Sequence, residues 1–248
     1  MRRSDASRPG AVHHGARARS GVYELVCLRA RALGALLLVE LFCSACGSAE
    51  AINVESDVAG RCPSRFATSV ESFVPGPGPT FGRDKLPGVV LGPPRGGGAA
   101  NGSLDVVTLG NGGSITLGFA PSAIVDGPGA DFIVFENAFF VSGNSEQTYA
   151  ELASVEVSDD GQLFESFPCT ATEAPYGSCA GWHPVYANPD QNAIDPSDPG
   201  VAGGDAFDLA DLGIAHVRYV RITDRVDLTG ADGTFDLDAV AIVHRECR

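Results

Sequence analysis

Positive charge is scarce in this chain. The first 46 residues take seven Arg and only three acidic side chains, so of 17 basic and 31 acidic residues in all, 10 and 28 follow Cys46, a net of −18. A surface of that sign repels phosphate backbones and anionic headgroups, which argues against nucleic acid and leaves cations or neutral molecules as ligands. Long apolar runs are missing too. The run Ala32 to Ala45 has 14 residues and is broken by Glu40, too short to span a bilayer. No C-x-x-C spacing occurs among Cys62, Cys169, Cys179 and Cys247, which argues against a zinc site. No Gly-x-Ser-x-Gly elbow supplies a hydrolase nucleophile, and no strict EF-hand spacing is present. Gly96 to Gly98 are followed by neither Lys-Ser/Thr nor a helical pattern, so they are loop and not a phosphate cradle. Beyond the amino-terminal segment no helix of ordinary length and no internal repeat can be read.

What is present suits one exported β domain. The 248 residues are 44% hydrophobic, with 31 Gly and 16 Pro, a composition for a turn-rich globular fold and not a disordered chain. Arg29 and Arg31 precede the apolar run, and small residues follow it at Ser44, Ala45, Gly47, Ser48 and Ala49, the form of a signal peptide. Residues 1–46 are therefore read as a signal peptide with an extended polar beginning, 47–61 as a linker and 62–248 as the domain. Two cleavage readings compete. Ser44-Ala45-Cys46-Gly47 resembles the end of a bacterial lipobox, with lipid on Cys46, although Cys43 stands where Leu is usual; the other is ordinary cleavage after Ala49 or Ala51. In an oxidising compartment the four remaining cysteines allow three pairings. The favoured one closes a Pro/Gly-containing loop with Cys169 and Cys179 and ties the start of the domain to its end with Cys62 and Cys247.

The clearest strand signal is Ser154 to Phe164. Val155 and Val157 alternate with Glu156 and Ser158, Asp159-Asp160-Gly161 supplies turn residues, and Leu163-Phe164 resumes an apolar arm, which predicts a β-hairpin. Asp105–Leu109 and Ser114–Phe119 flank Gly110-Asn-Gly-Gly113 and predict a second hairpin. Phe66–Val74 is expected to hold the first strand. Phe132-Ile-Val-Phe135 is continuously apolar, as in a central strand covered on both faces, with Asp131, Glu136 and Asn137 at its ends. From Pro168 to Gly204 periodicity disappears, and this long loop carries Tyr176, Trp182, His183 and Tyr186. Ala206–Leu212 reads as one helical turn, and His216–Thr223 and Thr234–His244 as the closing strands.

Ser-Val-Glu-Val-Ser-Asp-Asp-Gly-Gln-Leu-Phe164, followed by Val217-Arg-Tyr-Val-Arg-Ile222 and a final strand, resembles the discoidin-like, galactose-binding-like β-sandwich modules. About 40 residues carry that resemblance. It implies an all-β, antiparallel jelly-roll sandwich, often a glycan- or surface-binding module with a structural Ca²⁺, and it transfers no ligand. Residues 66–244 as a whole also resemble bacterial secreted "cell surface" proteins, through Asp126-Gly-Pro-Gly-Ala-Asp-Phe-Ile-Val-Phe-Glu-Asn137 and Gly203-Gly-Asp-Ala-Phe-Asp-Leu-Ala-Asp-Leu-Gly213; that likeness implies no activity.

Calcium needs six to eight oxygen ligands gathered by loops. The candidates are Asp131, Glu136, Asn137, Asp236 and Asp238, with Asp126, Asp205, Asp208, Asp211, Asp224 and Asp232 as further acids; Asp236 and Asp238 lie two apart on a strand and so share a face. The aromatic loop residues Trp182, Tyr176 and Tyr186, with His183, are the candidate ligand-binding set, or else they pack the loop onto the sheet. The expected function is an exported, non-catalytic cell-surface binding module, monomeric, taking a glycan or another envelope ligand. The alternatives are a Ca²⁺-stabilised structural envelope protein, and a hydrolase using His183 with Asp190 or Asp195.

Overall fold

A strand whose four residues are all buried stands at the centre of the fold. The computed structural model describes residues 62, 64–226 and 233–247, all within one compact unit spanning 51–248. The signal-peptide and linker segments, Cys46 and Asp232 lie outside the described residues.

In chain order the strands are β1 (Ser69–Val74), β2 (Val107–Thr108), β3 (Ser114–Gly118), β4 (Ser122–Val125), β5 (Phe132–Phe135), β6 (Phe139–Phe140), β7 (Thr148–Tyr149) and β8 (Ala153–Ser158). They continue with β9 (Glu165–Ser166), β10 (Asp205–Phe207), β11 (His216–Val217), β12 (Tyr219–Asp224), β13 (Asp236–Leu237), β14 (Ala239–Ile242) and β15 (Arg245–Cys247). One sheet runs β1-β3-β12-β8-β9, a second β10-β5-β14 and a third β11-β4-β15, with β13-β2 and β6-β7 as separate pairs. Every pairing is antiparallel. Among the described residues the helical elements are short 3₁₀ turns, and none is long and apolar enough to cross a membrane.

The two-residue side-chain period explains the burial of β5. Phe132 and Val134 enter the main core, while Ile133 and Phe135 enter a second cluster on the opposite face. Its partner β14 divides in the same way, Val240 and Ile242 to one side and Ala239 and Ala241 to the other. The main core is shared with the five-stranded sheet, which contributes Ile115, Leu117, Val155, Val157, Val220 and Ile222. On its other face that sheet carries Arg221, paired with Glu156 through Nε at 2.6 Å and Nη2 at 2.8 Å. The second cluster is covered by Val185, Ala187 and Ala202 from the long loop, which is thereby fixed to the sheet.

Two disulfides are present. Cys62 bonds to Cys247 across 185 positions and Cys169 to Cys179 across ten. Such bonds persist in oxidising compartments, so they suggest an extracytoplasmic protein.

Two strand expectations are corrected. Leu163-Phe164 does not resume a strand: β8 and β9 pair through Glu156↔Ser166 and Val157↔Glu165, and Leu163 is 81% exposed. Asp160 holds the wide turn instead, its Oδ1 accepting the N–H of Gln162 at 2.8 Å and of Leu163 at 2.9 Å. The second predicted hairpin does not form. β2 pairs with β13, while β3 lies between β1 and β12. The reason is a competing partner distant in sequence. The Leu109 carbonyl accepts from Gly76 and the Asn111 N–H donates to Pro77, so the segment after β1 occupies the backbone groups on which a hairpin would close.

Phe132 stacks on Phe207 with ring centroids 5.2 Å apart and meets Phe167 edge-on at 5.9 Å. Urea unfolding of Phe132→Ala should show a loss of about 3–5 kcal/mol, against less than about 0.5 kcal/mol for Leu163→Ala. Equal losses would contradict this placement of β5 in the core.

Candidate functional site

The loop from Pro168 to Gly204 is ordered by a carboxylate that enters from beyond it. Asp205, the first residue of β10, is 4% exposed. Its Oδ2 accepts the backbone N–H of Gly181 at 2.7 Å and of Trp182 at 3.2 Å, and its Oδ1 lies 2.7 Å from His183 Nδ1. Burial pushes the Asp205 carboxyl up, against the opposing pull of His183 and the two amides. The turn needs glycine at 181, where φ is +95° and a Cβ would sit 1.9 Å from the Glu151 carbonyl oxygen.

Two open grooves meet this loop. Phe140, His183, Pro184, Tyr186 and Val201 line one of about 390 Å³. Gln147, Thr148, Pro175, Tyr176 and Trp182 line another of about 490 Å³. The β6-β7 hairpin, braced by Phe139 stacked on Tyr149 at 5.1 Å, contributes residues to both. Trp182 and His183 link them, with ring centroids 3.7 Å apart.

The four aromatic-loop candidates divide by burial. Trp182 and Tyr176 meet edge-on at 6.0 Å, pack against the cluster that contains the Cys169–Cys179 bond, and are partly buried. Trp182 Nε1 also donates to the Cys179 carbonyl at 3.0 Å. Tyr186 and His183 are exposed at 38% and 49%. Asp205 takes Nδ1, which leaves Nε2 as the other hydrogen-bonding atom of this half-exposed ring. The sequence-predicted partners of His183 are placed elsewhere: Asp190 pairs with Arg95 at 2.9 Å, and Asp195 accepts from Ser197 within its own turn.

The predicted metal set does not converge on one point. Asp131 precedes β5 and Glu136 follows it, so the strand holds them about 16 Å apart. Asp131 is fully buried, accepts from Gly127 N–H at 2.8 Å and Leu209 N–H at 2.8 Å, and faces His244 Nδ1 at 2.9 Å. With Asp126 and Asp208 it forms a partly buried triad, one carboxylate oxygen from each lying within 4.8 Å of the others, that could bind a metal such as calcium. Asp236 and Asp238 have separate partners. Asp238 accepts from Arg95 N–H with both oxygens at 3.1 and 2.9 Å, whereas Asp236 accepts from the Thr108 hydroxyl and from Asn137 Nδ2 at 3.2 Å.

At the far end of β5 lies a buried acidic group. Glu136 is 1% exposed and neither of its oxygens has a hydrogen-bond partner. Burial drives its carboxyl well above the usual range; the adjacent Asn137 backbone amide pulls against that shift, and the charges of Glu151, Asp236 and Asp205 add to it. Glu151 is pushed up to about 8, by burial first and then by Asp236 and Asp224. Gly233 closes over it: a Cβ at 233 would lie 2.0 Å from Glu151 Oε1. Sequence reading missed Glu151; the available signal was a single acid between apolar Ala150 and Leu152, just ahead of a buried strand.

No protein-family model matches this chain, and no curated protein matches it in sequence.

Linkage fixes the sign of the pH dependence. A carboxyl raised in the folded state holds its proton while the unfolded chain, with a pKa near 4.3, has released it. Stability is therefore lost as pH climbs from that value through about 8. In chelator, the protein should melt higher at pH 5.5 than at pH 8, and Glu151→Gln should flatten that slope while raising the midpoint at pH 8. An unaltered slope in the variant would exclude Glu151 as its source.

Proposed function

We propose that the protein is an exported, non-catalytic surface-binding module whose ligand is a neutral carbohydrate, held at the two grooves beside the 168–204 loop. One observation carries this reading: a half-exposed imidazole, oriented by a buried carboxylate, stands between grooves walled by Phe140, Tyr186, Tyr176, Trp182 and proline rings. Sugars present apolar C–H faces and a rim of hydroxyls, a match for ring faces combined with a few fixed polar atoms. The acidic surface favours neutral over anionic glycans. The antiparallel sheets sharing one core support a galactose-binding-like jelly roll, and the disulfides support export by a signal in residues 1–46, with lipid on Cys46 as the anchor. Calcium at Asp126, Asp131 and Asp208 would then be structural, securing the connection between β4 and β5.

A second reading is favoured by the same imidazole. An Asp-oriented His is the arrangement of a general base, and water would be the nucleophile in a hydrolase built on His183. The residues lining its groove, however, bring no second carboxylate or nucleophilic serine beside it.

The test is binding to a panel of neutral oligosaccharides. Tyr186→Ala should weaken binding at least about tenfold, the equivalent of about 1.4 kcal/mol, with no change in melting temperature. Trp182→Ala should both weaken binding and cost about 2–3 kcal/mol of stability, because its ring is part of the loop's packing. Full affinity in both variants would eliminate the grooves, and a purely structural protein would bind none of the panel. Turnover of a glycan that disappears in His183→Ala would favour the hydrolase.

A further inference from the structure

The acidic group beyond the carboxyl end of β5 has a property that turn-capping acids lack. Asp131, Asp224 and Asp238 each receive backbone N–H donors, which accounts for their burial. Glu136 closes no such hydrogen bond on either oxygen, at 1% exposure, although the adjacent Asn137 amide pulls on its carboxyl. Glu151 and Asp236 stand beside it, and among the described residues no basic side chain forms an ion pair with any of the three. An uncompensated carboxylate in such a place is costly, and several brought together are more so, unless each takes a proton or a positive charge enters with them.

We propose that Glu136, Glu151 and Asp236 form a buried site for a hard divalent cation, calcium in preference to magnesium. The three come from separate elements: the end of β5, the connection between β7 and β8, and β13. Asn137, whose Nδ2 already donates to Asp236, and the Thr108 hydroxyl add oxygens of the same class. A donor set of oxygen alone, without imidazole or thiolate, excludes the usual zinc and copper preferences. Magnesium keeps several of its waters in a strict octahedron, whereas calcium accepts irregular, nearly dehydrated carboxylate cages. The oxygens of the three carboxyls do not all lie within the 4.8 Å that gathers Asp126, Asp131 and Asp208. Binding therefore requires the three carboxyls to close up and the existing contact between the Glu136 and Glu151 carboxyls to give way to the cation. The site is distinct from that triad, which lies at the other end of β5, and it is independent of the carbohydrate reading.

The experiment uses the exported protein, stripped with chelator and titrated with CaCl₂ by calorimetry and by thermal melts, beside Glu136→Gln, Glu151→Gln and Asp208→Asn. The wild type should bind calcium, with a rise in melting temperature of roughly 5–10 °C at a hundredfold excess over the dissociation constant. Asp208→Asn, which removes the triad's contribution, should keep the part of that rise that the buried site supplies. Glu136→Gln and Glu151→Gln should each lose that part, yet melt at or above the wild type in chelator, because a buried carboxyl that folding must keep protonated has been replaced by a neutral amide. This last expectation separates a lost site from a damaged fold, and either Gln variant alone suffices if the other does not fold. The proposal is overturned if the wild type binds no calcium up to about 10 mM, weaker than extracellular calcium modules. It is equally overturned if both Gln variants retain the full rise, or if Asp208→Asn abolishes it.

Discussion

The whole arrangement depends on the two-sided burial of β5. A strand with apolar side chains on both faces must be covered on both, and here the five-stranded sheet closes one face while the long loop closes the other. Val185, Ala187 and Ala202 are thus core residues as well as loop residues, and the loop cannot leave without uncovering Ile133 and Phe135. This explains how a segment without periodicity is held firmly enough to shape grooves. The loop is a third layer in all but secondary structure.

The same strand sets the electrostatics. Its two ends emerge into buried surroundings, and each ends in a carboxylate whose situation is different. At the amino end Asp131 is received by amides and by His244, so the chain itself supplies the compensation. At the carboxyl end Glu136 meets other acids. One end is satisfied by the chain's own backbone, whereas at the other end burial and neighbouring acids favour the protonated carboxyl. The half-exposed His183 sits close to this contrast, since Asp205 acts on both the loop and the Glu136 carboxyl.

Much of the sheet content was legible because it follows from single-strand patterns. The uninterrupted Phe132–Phe135 run meant cover on both faces, and the alternation of Val155 and Val157 with Glu156 and Ser158 meant one buried face. Pairing was less legible. Asp105–Leu109 and Ser114–Phe119 have hairpin spacing, but the competing partner for the Leu109 carbonyl is Gly76, more than thirty positions earlier, and no local pattern records it. The site was legible only in outline. The loop aromatics and His183 stood out by composition, whereas Asp205 reaches His183 from 22 positions downstream and Glu151 is buried only after Gly233 closes over it. Asp131 and Glu136 were grouped by chemistry although the intervening strand length already implied their separation.

The bond between Cys62 and Cys247 has a mechanical meaning. A pull on the chain ahead of Cys62, such as a tether in the envelope would exert, does not reach β1 alone; the cross-link passes the load to β15 and so to the opposite terminus. Between the two linked positions the chain is in effect a closed ring, and a ring under tension at one point resists being peeled strand by strand. The edge strand β1 is thereby spared the role of first element to yield.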